Sequence, residues 1–466
     1  MIPVDAYRGH HVGVFGLGRT GLAAARALDA GGALVHVWDD GEKARAQAAQ
    51  EGFTVTDLQG RELSNYAALV LSPGVPLTHP EPHPIVKSAR EQGCPVVGDM
   101  ELFALANRHV VGENIRPVIA ITGTNGKSTT TALSWCVLDH AGRAPELGGN
   151  IGRAVLGLAP PEEAGCYVLE MSSYQIDLCH TFNADIAVLL NIAPDHLDRH
   201  GGMAGYIASK RRLFDLQRAG ATAIVSVDDP QCATICAQLA DSGNRNVIPI
   251  SINGPVAHGV FVENGMLMDA MQGEAEPVFA LAQFDRLPGP HNGQNIAAAY
   301  AIARSLGVPR DVIEMGMKRF GGLAHRLEFT AEEHGIRFIN DSKATNADAA
   351  QHALKAFDRI YWLAGGRAKT DGIAALVPLM GPVRRAYLFG EAAARFAAEI
   401  GEAAQTRQFE TLDQALAAAA NDAAEDGGGV VLLSPAAASF DQYPDFEARG
   451  DAFKKAVAQW LEGKGA

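Results

Sequence analysis

The sequence predicts an α/β protein whose parallel sheets are arranged in three successive domains. Short apolar runs rich in β-branched residues alternate with segments of helical spacing along the whole chain, as is typical of strand–helix–strand units. Glycine-rich or polar turns follow many of these runs, at the strand ends where open α/β sheets bind ligands. The length of 466 residues exceeds one ordinary hydrophobic core and corresponds to about three domains.

Polar segments indicate the domain boundaries. Glu113–Asn114 predicts a turn before the central strand, and the segment from Gly321 to Glu328 is typical of a linker. We therefore expect a Rossmann-like domain over residues 1–114, a central domain resembling the P-loop ATPases over 115–321, and a second Rossmann-like domain over 322–466.

The charge and cysteine content argue against several classes of function. The chain carries 39 Lys and Arg against 53 Asp and Glu, a net charge of −14, and no basic run longer than Lys210–Arg212. This balance disfavours nucleic acid or an anionic membrane as the main partner. The six cysteines lack zinc-site or disulfide spacing, which favours reduced thiols. The amino terminus lacks signal-peptide features and no apolar run is long enough to span a bilayer, so we expect a cytoplasmic protein without membrane insertion. We also expect a monomer.

The first domain begins with a nucleotide-binding pattern. A predicted strand from His11 to Gly16 leads through the turn Gly16–Gly21 into a helix that ends near Leu28. The next predicted strand, from Ala33 to Trp38, ends at the acidic pair Asp39–Asp40. A helix N-terminus offers amide groups to a phosphate, and a carboxylate at the next strand end can accept a hydrogen bond from a sugar hydroxyl or a base N–H.

A second loop of this domain runs from Ser72 to Pro80, after the predicted strand Ala67–Leu71. This loop could close over the same ligand as the glycine turn. We interpret the domain as binding a nucleotide-linked substrate. A redox domain is the alternative, because the same glycine pattern occurs in dinucleotide-binding proteins.

The central domain opens with the segment PVIAITGTNGKSTTT, residues 117–131. Its apolar residues from Pro117 to Ile121 predict a buried parallel strand, and the spacing from Thr130 to Leu138 predicts a helix. Gly123 and Gly126 allow the intervening turn to point successive N–H groups at one anion. The segment therefore predicts a phosphate-binding turn, shorter than the standard P-loop.

The side chains of this turn suit a nucleoside triphosphate. Lys127 would contact the β- and γ-phosphates as a point charge, and the hydroxyl of Ser128 or Thr129 would ligate Mg²⁺. An ordinary strand–turn–helix with a surface lysine is the alternative for the short pattern alone.

Polar residues follow three further segments of the central domain. Asn150 lies in the glycine-rich segment Gly148–Gly152, Glu170 ends the predicted strand Cys166–Glu170, and His196 follows the predicted strand Ala184–Ile192. Because carboxyl ends of parallel strands meet at one edge of a sheet, these side chains predict a metal and phosphate site.

The remaining polar candidates of this domain are open to simpler interpretations. Lys210, in the predicted helix Met203–Gln217, has the spacing of a solvated helix lysine. Asn292 and Asn295 share one face near a helix start and could bind an adenine edge or a phosphate, or simply cap the helix. Arg326, in the predicted linker, is a candidate phosphate clamp, since the guanidinium fork suits phosphate oxygens.

The third domain again alternates strands and helices, which predicts a doubly wound sheet. The predicted elements are the strands Arg337–Asn340, Ile360–Leu363, Arg385–Phe389 and Gly429–Leu433 and the helices Asp348–Ala356, Ala392–Ile400, Leu412–Ala424 and Phe446–Leu461. Three strand ends, Asp341–Asn346, Gly365–Asp371 and Ser434–Asp441, carry two lysines, hydroxyl groups and an aromatic ring. Such a set suits a small dicarboxylate or an amino acid.

The segments GTNGKSTTT, NDSKATN and SPAAASFDQY, together with GGNIG, DHLDRH and GPHNGQN, make the chain resemble the Mur ligase family over essentially its whole length. The resemblance implies three α/β domains that bind the UDP end of the substrate, ATP and the incoming amino acid. It also implies that ATP phosphorylates the terminal carboxylate of UDP-N-acetylmuramoyl-L-alanine to an acyl phosphate, which the amine of D-glutamate then attacks. The stretch Ala436–Ala438 lacks a cysteine that the family often shows, so no thiol role is expected there.

The resemblance also implies roles for the ATP- and metal-binding residues. Lys127, Asn150, His196 and Lys210 would be catalytic. Two Mg²⁺ ions, or Mn²⁺ in their place, would be held by Ser128, Thr129, Glu170, His196 and a carbamylated Lys210, which replaces the solvated-lysine interpretation. The ATP-binding set would be Gly123, Thr124, Asn125, Gly126, Lys127, Ser128, Thr129, Asn292, Asn295, Arg326 and Asp341.

Two further sets follow from the same resemblance. The UDP-linked substrate would contact Gly18, Arg19, Thr20, Asp39, Asp40, Ser72, Gly74 and Asn150, with either Asp39 or Asp40 facing uracil. D-Glutamate would contact Lys343, Thr345, Lys369, Ser434 and Phe440.

Three alternatives compete with this interpretation. Another Mur ligase or a folylpolyglutamate synthase-like ligase would share the chemistry and differ in the amino acid. A nucleotide-dependent oxidoreductase would use Gly16–Gly21, yet it leaves the phosphate-binding turn and the lysines of the third domain unexplained. An inactive nucleotide-binding scaffold would not need every one of these chemical groups.

Overall fold

The computed structural model describes residues 1–107, 116–284, 286–287, 289–369 and 372–464. The expected boundary between residues 114 and 115 lies outside the described residues, as do Thr370 and Asp371 of the predicted strand-end loop. The chain divides into two units, one of Met1–Gln283 with Asn292–Phe320 and one of Phe284–His291 with Gly321–Ala466. The bounds predicted for the three domains stay a prediction.

The amino-terminal part of the first unit is a parallel sheet with the strand order β3–β2–β1–β4–β5. The strands are β1 (His11–Phe15), β2 (Leu34–Trp38), β3 (Thr54–Val55), β4 (Ala68–Leu71) and β5 (Val96–Val97). The helices are α1 (Arg19–Ala30), α2 (Glu42–Gln50), α3 (Pro84–Glu91) and α4 (Asp99–Asn107). Apolar residues of β1 and β4 are fully buried, as expected for central strands covered on both faces.

The rest of the first unit is a larger mixed sheet. Its strands are β6 (Val118–Thr122), β7 (Pro145–Gly149), β8 (Cys166–Glu170), β9 (Ile186–Leu189), β10 (Thr222–Ser226), β11 (Asn246–Ser251), β12 (Val260–Glu263), β13 (Met266–Asp269) and β14 (Glu276–Ala280). Its helices are α5 (Lys127–His140), α6 (Ser173–Asp177), α7 (Leu197–His200), α8 (Met203–Asp215), α9 (Pro230–Asp241), α10 (His291–Ser305) and α11 (Arg310–Lys318). The order is β14–β13–β12–β11–β10–β9–β6–β8–β7, with only the β12–β13 and β13–β14 pairs antiparallel among the described strands.

One hydrophobic core joins the two sheets of the first unit. Phe103 of α4 packs edge-on against Tyr167 of β8, with ring centroids 5.0 Å apart. The buried Glu101 carboxylate accepts hydrogen bonds from the backbone N–H groups of His180 and Thr181, both at 2.8 Å. These contacts hold the amino-terminal sheet directly on the central one.

The second unit contains a sheet with the order β15–β16–β20–β17–β18–β19. Its strands are β15 (Glu328–Glu333), β16 (Ile336–Asn340), β17 (Ile360–Gly365), β18 (Val383–Phe389), β19 (Thr406–Phe409) and β20 (Gly429–Leu433). Its helices are α12 (Ala347–Ala356), α13 (Ala393–Ile400), α14 (Leu412–Glu425) and α15 (Phe446–Lys464). Only the edge pair β15–β16 is antiparallel among the strands described, and separate apolar clusters cover the two faces.

The structure confirms the predicted α/β class and corrects local details. Gly148 and Gly149, predicted in a loop, end strand β7. The predicted linker ends at Glu328, the first residue of β15. Helix α5 begins at Lys127, three residues before the predicted start, because Gly126 adopts a left-handed conformation at its N-cap. None of the described helices is long and apolar enough to cross a membrane.

Candidate active site

The phosphate-binding turn connects β6 to α5 and depends on its glycines. Gly123 has φ 151° and Gly126 has φ 82°, values in the left-handed range that side chains resist. A Cβ atom on Gly126 would also lie 2.5 Å from Oδ1 of Asn295. The turn therefore lets α5 begin at Lys127 and directs the positive end of that helix toward the turn, which favours an anion there.

The neighbouring strand end holds this turn in place, and the residue that does so was not among the predicted site residues. Asn191 accepts a hydrogen bond from the Asn125 N–H at 2.8 Å and donates one to the Asn125 carbonyl at 3.2 Å. Thr124 donates through its backbone N–H to the Asn191 carbonyl at 2.9 Å. An amide at the end of the adjacent buried strand was the only sequence signal for this role.

Lys127 and Lys210 converge on one carbonyl oxygen of the turn. Nζ of Lys127 donates to the carbonyls of Gly123 (2.9 Å) and Thr124 (2.7 Å). Nζ of Lys210 donates to the same Gly123 carbonyl at 2.8 Å. The two amino groups therefore share one edge of the turn.

The solvated position that helical spacing predicted for Lys210 is wrong. Only 1% of the residue is exposed, and its Nζ lies 4.7 Å from the centre of the Tyr206 ring. Burial, followed by the nearby charge of Lys127, lowers the pKa of Lys210 well below its usual value. The overlooked signal was periodicity, because Tyr206, Lys210 and Phe214 are four residues apart and lie on the buried face of α8.

Glu170 and Asn150 come together at neighbouring strand ends. Residue Gly149 of β7 pairs with Glu170 of β8, which brings Asn150 alongside. Nδ2 of Asn150 donates to Oε1 of Glu170 at 2.7 Å, and the Asn150 N–H donates to the Glu170 carbonyl at 2.9 Å. Glu170 is 2% exposed, so its carboxylate is fixed at the base of the site while Asn150 stays at the surface.

His196 lies just before α7 in a left-handed conformation, with φ 51°. Its Nε2 atom is 3.4 Å from a carboxylate oxygen of Asp195, and its ring centroid is 5.0 Å from that of Tyr174. The side chain is 45% exposed. His196 is therefore accessible to a substrate or an ion.

The donor set near the turn suits Mg²⁺ held partly by nucleotide phosphates. Glu170 supplies a carboxylate and His196 an imidazole, and the hydroxyls of Ser128 and Thr129 lie in the first turn of α5. Among the described residues there is no cluster of three or more His, Cys, Asp or Glu that could bind a metal without other ligands. Mg²⁺ commonly takes one or two protein oxygens together with phosphates and water, so the residues present fit that ion.

Asn292 and Asn295 lie behind the turn, on α10. Nδ2 of Asn295 donates to Oδ1 of Asn292 at 2.8 Å, and Thr130 donates to Oδ1 of Asn295 at 3.0 Å. Both asparagines are buried. Asn295 thus ties α10 to α5, a packing role in addition to the nucleotide contact that the resemblance implies.

The glycine turn after β1 is bonded to the acidic pair at the end of β2. Asp39 accepts hydrogen bonds from the N–H groups of Leu17 (2.6 Å) and Gly41 (2.7 Å). Asp40 instead lies near Gln59, at 3.0 Å, and His83, at 3.3 Å. The two acids therefore face different neighbours, Asp39 the glycine turn and Asp40 the protein surface.

The other expected substrate contacts surround this turn. Gly18 is the N-cap of α1, and Arg19 begins the helix with an exposed side chain. The hydroxyls of Thr20 and Ser72 lie 3.5 Å apart, so the two predicted loops of the domain meet here. Gly74, in the second loop, is exposed.

In the second unit, Asp341 and Ser434 form a buried pair. The Ser434 hydroxyl donates to Oδ2 of Asp341 at 2.8 Å, and the Leu327 N–H donates to Oδ1 at 3.2 Å. Burial raises the pKa of Asp341 to about 7. Arg326 is half-buried in the same unit. The pKa of His291 is lowered to about 3 by burial first, and then by the nearby charges of His352 and Arg326.

The other candidates of the second unit are more accessible. Nζ of Lys343 lies 5.5 Å from the centre of the Phe446 ring, and Thr345 follows it in the same half-buried loop. Lys369 is exposed, and Phe440 is 63% exposed. The structure therefore brings Asp341 and Ser434 together and leaves Lys369 and Phe440 at the surface.

Arg449 supports these strand-end loops and was not predicted. It is fully buried on α15 and donates to the carbonyls of Ser342 (2.8 Å) and Ala437 (3.0 Å) and to the Ser342 hydroxyl (3.0 Å). Burial lowers its pKa to about 10. Its spacing of four residues from the buried Phe453 was the available signal.

Comparison with protein-family models accounts for most of the chain. The MurD-like N-terminal domain of Mur ligases matches residues 10–98, the Mur ligase middle domain matches 121–303, and the glutamate ligase domain of Mur ligases matches 325–437. The three matched segments contain, in order, the glycine turn after β1, the phosphate-binding turn and the strand-end cluster with Asp341 and Ser434.

Whole proteins show the same relationship. The chain is 49% identical over 466 residues to a UDP-N-acetylmuramoylalanine–D-glutamate ligase of Phenylobacterium zucineum, covering 100% of this chain and 99% of the relative. It is 51% identical over 459 residues to a ligase of the same name from Caulobacter sp. (strain K31), covering 98% of each.

Solved structures share the fold at lower identity. The UDP-N-acetylmuramate-alanine ligase MurC of Thermotoga maritima superimposes with a TM-score of 0.59 at 15% identity, covering 97% of this chain and 99% of that one. MurF of Acinetobacter baumannii gives a TM-score of 0.59 at 21% identity, covering 92% and 91%. Since relatives about half identical span its full length, the chain belongs to the Mur ligase family.

Proposed function

We propose that this chain joins D-glutamate to UDP-N-acetylmuramoyl-L-alanine at the expense of ATP, releasing ADP and phosphate, as a step of peptidoglycan precursor synthesis. The observation that carries the proposal is the identity of 49% and 51%, over essentially full length, with ligases named for this reaction. We also propose that the chain acts as a monomer in the cytoplasm, where ATP is available.

The first chemical step transfers the γ-phosphoryl group of ATP to the substrate carboxylate. A carboxylate becomes a good electrophile only when its oxygen is converted into a leaving group, and this transfer needs charge neutralisation more than covalent help. Lys127 and the N-terminal end of α5 are suited to neutralise and orient the phosphates. The observation that supports this role is the turn at the N-terminus of α5, in which Gly123 and Gly126 have positive φ values.

A bound divalent metal would supply positive charge that helps to neutralise the phosphates. Ser128 or Thr129 with Glu170 would hold one Mg²⁺, and His196 would contribute to a second; Mn²⁺ accepts the same donors. Asn150 would orient the substrate near the reacting carboxylate, since its amide is already fixed on Glu170.

Lys210 is suited to become a carbamate. Its buried amine has a pKa well below the usual value, so a larger fraction is neutral and nucleophilic. Attack of that neutral amine on CO₂ forms an N–C bond and releases a proton, which converts a cation into an anionic oxygen ligand. The nearby Lys127 charge would favour this anionic form.

The remaining candidates divide between the substrates. The UDP end would lie on the glycine turn, with Gly18, Arg19, Thr20, Asp39, Asp40, Ser72 and Gly74. The nucleotide of ATP would also contact Asn292, Asn295, Arg326 and Asp341. D-Glutamate, which carries two carboxylates and one amine, would be bound by Lys343, Thr345, Lys369, Ser434 and Phe440, where each lysine would meet one carboxylate.

The decisive experiment measures phosphate release from ATP with UDP-N-acetylmuramoyl-L-alanine and one amino acid at a time. D-Glutamate is compared with L-glutamate, L-alanine, meso-diaminopimelate and no amino acid. Release that depends on D-glutamate supports the proposal. Release with a different amino acid would retain the ligase chemistry and overturn the choice of D-glutamate, and no release in any mixture would overturn the proposed function.

A further inference from the structure

Arg199 connects two segments that lie far apart in the sequence. It belongs to α7, three residues after His196, and its guanidinium reaches the loop that follows β4. The guanidinium donates to the carbonyls of Gly74 (3.0 Å) and Val75 (3.1 Å) and lies 3.5 Å from the carbonyl of Pro73. One side chain thus contacts three consecutive peptide groups of the 72–80 loop.

The orientation of this guanidinium is fixed by an aromatic ring. The Arg199 guanidinium carbon lies 4.6 Å from the centre of the Tyr174 ring, and the side chain is half-buried. A planar fork with five N–H donors can stack on a ring and still reach several carbonyls, whereas a lysine ammonium cannot reproduce that geometry. The contact therefore requires arginine.

The end of α7 also packs against the 72–80 loop through the backbone. Gly201 has φ 68°, and a Cβ atom there would lie 2.5 Å from Nε2 of His79. A side chain at residue 201 would displace the His79 ring. Arg199 and Gly201, two residues apart at the end of α7, thus contact the same loop.

The next residue, His200, anchors α7 on α6. His200 is buried; its Nε2 lies 2.9 Å from the Ser173 hydroxyl, and its Nδ1 lies 3.3 Å from a carboxylate oxygen of Asp177. Both partners belong to α6, which starts three residues after Glu170. Arg199 therefore extends from a rigid base rather than from a free loop.

We propose that Arg199 is a positioning residue that holds the 72–80 loop, with Ser72 and Gly74, in the geometry that binds the UDP-linked substrate. The inference rests on the proposed function, which assigns that loop to the substrate. Fixing three peptide groups before binding removes ordering entropy that the substrate would otherwise have to overcome. The same contact keeps the loop at a set distance from His196, at the reacting end of the site.

The test uses the full chain with Arg199→Lys and Arg199→Ala. Titration calorimetry with UDP-N-acetylmuramoyl-L-alanine is expected to show a Kd raised about tenfold or more in Arg199→Ala, and less in Arg199→Lys, because a charged donor to carbonyls is lost or displaced. The KM for this substrate should rise by a similar factor, while kcat and the Kd for ATP stay within about threefold of wild type. Hydrogen exchange of the non-proline amides in residues 72–78 should be faster in both variants without any ligand.

Arg211→Ala is the matched control, because Arg211 is a partly exposed arginine on α8 whose side chain bonds Gln238 at 2.8 Å; it should change neither the Kd nor loop exchange. An unchanged substrate Kd in Arg199→Lys and Arg199→Ala, with unchanged loop exchange, would overturn the positioning role alone. An equal loss of ATP affinity would also overturn it, since that result indicates a general structural defect. Failure of the wild-type chain to bind the UDP-linked substrate would instead overturn the proposed function, and the inference with it.

Discussion

The phosphate-binding turn of the first unit and the strand-end cluster of the second unit differ in how far the protein prepares each site. Around the turn, Lys210 and Glu170 are 1% and 2% exposed and are bonded to neighbouring groups. In the second unit, Asp341 and Ser434 form a buried pair, but Phe440 is 63% exposed. Hydrogen bonds between its own residues order the first site. In the second site such bonds order the buried pair Asp341 and Ser434, while Phe440 is left exposed.

The two sites also differ in electrostatics. Two amino groups converge on the Gly123 carbonyl in the first unit, and their proximity contributes to the low pKa of Lys210. In the second unit, burial raises the pKa of Asp341 to about 7. A preordered site loses most when one charge is removed, because nothing nearby can rearrange to replace it. The largest effects are therefore expected at the turn.

Lys127→Ala should cause the largest loss. Removing the cation that neutralises the transferred phosphoryl group is expected to lower kcat by about a thousandfold or more, with the free energy of unfolding little changed. Phosphate release under saturating substrates is the measurement. Lys318→Ala, which removes an exposed lysine paired with Glu314 at 2.7 Å, is the control and should retain full activity. Turnover of Lys127→Ala close to wild type would refute the assignment of the turn.

This contrast also explains what could be predicted from the sequence. The position of the turn between a strand and a helix, and that of Glu170 at a strand end, could be predicted because each is marked by a local pattern, glycines or a polar residue at the end of an apolar run. Strand order and the burial of Lys210 depend on packing between distant segments. A lysine is most often solvated, and only its place among Tyr206, Leu213 and Phe214 on α8 indicates otherwise.

The residues that support the sites were the hardest to predict. Asn191 bonds a turn 66 positions away, and Arg449 bonds Ser342 across 107 positions. Neither forms a motif with its partner, so no local spacing connects them. The antiparallel strands β12–β14 and the edge strand β15 were missed for a related reason, since pairing at a sheet edge depends on neighbours rather than on a continuous apolar run.

Lys210→Ala should have the second largest effect and tests whether the buried lysine acts through a carbamate. Activity is expected to fall about a hundredfold or more, because an anionic ligand is lost beside the turn. Short carboxylates such as formate or acetate should partly restore phosphate release. They should give no stimulation in Lys127→Ala, which serves as the comparison.

Lack of rescue in Lys210→Ala would argue against the carbamate while leaving the ligase assignment intact. A direct measurement is available in the wild type, where ¹³CO₂ should give a carbamate carbon signal that disappears in Lys210→Ala. Absence of that signal in active wild-type protein would contradict the carbamate.

Asp341→Asn should change how stability depends on pH. The folded-state pKa of about 7 exceeds the ordinary value of 3.8, so the folded chain binds this proton more tightly than the unfolded chain does. The resulting stabilisation is complete below about pH 4 and is lost as the pH rises through about 7. Relative to wild type, Asp341→Asn should therefore gain about 2 kcal/mol or more in free energy of unfolding between pH 5 and pH 8.

Chemical unfolding at several pH values, followed by intrinsic fluorescence, measures this difference. Trp362 is a suitable local probe because its indole N–H donates to the Ser434 carbonyl at 2.8 Å. Asp413→Asn replaces an exposed acid on α14 and should leave the pH profile unchanged. Parallel profiles for wild type and Asp341→Asn would show that burial does not hold the proton on Asp341.

The smallest effects are expected from Lys343→Ala and Lys369→Ala at the accessible side of the second site. Each removes one cation that would meet a carboxylate of D-glutamate in a largely hydrated setting, where screening limits the interaction. The KM for D-glutamate should rise about tenfold in either variant, while the Kd for ATP stays unchanged. Lys455→Ala, an exposed lysine of α15, is the control. A loss of kcat in Lys369→Ala as large as that in Lys127→Ala would indicate that the second site is as preordered as the first. That result would contradict the difference in preordering between the two sites.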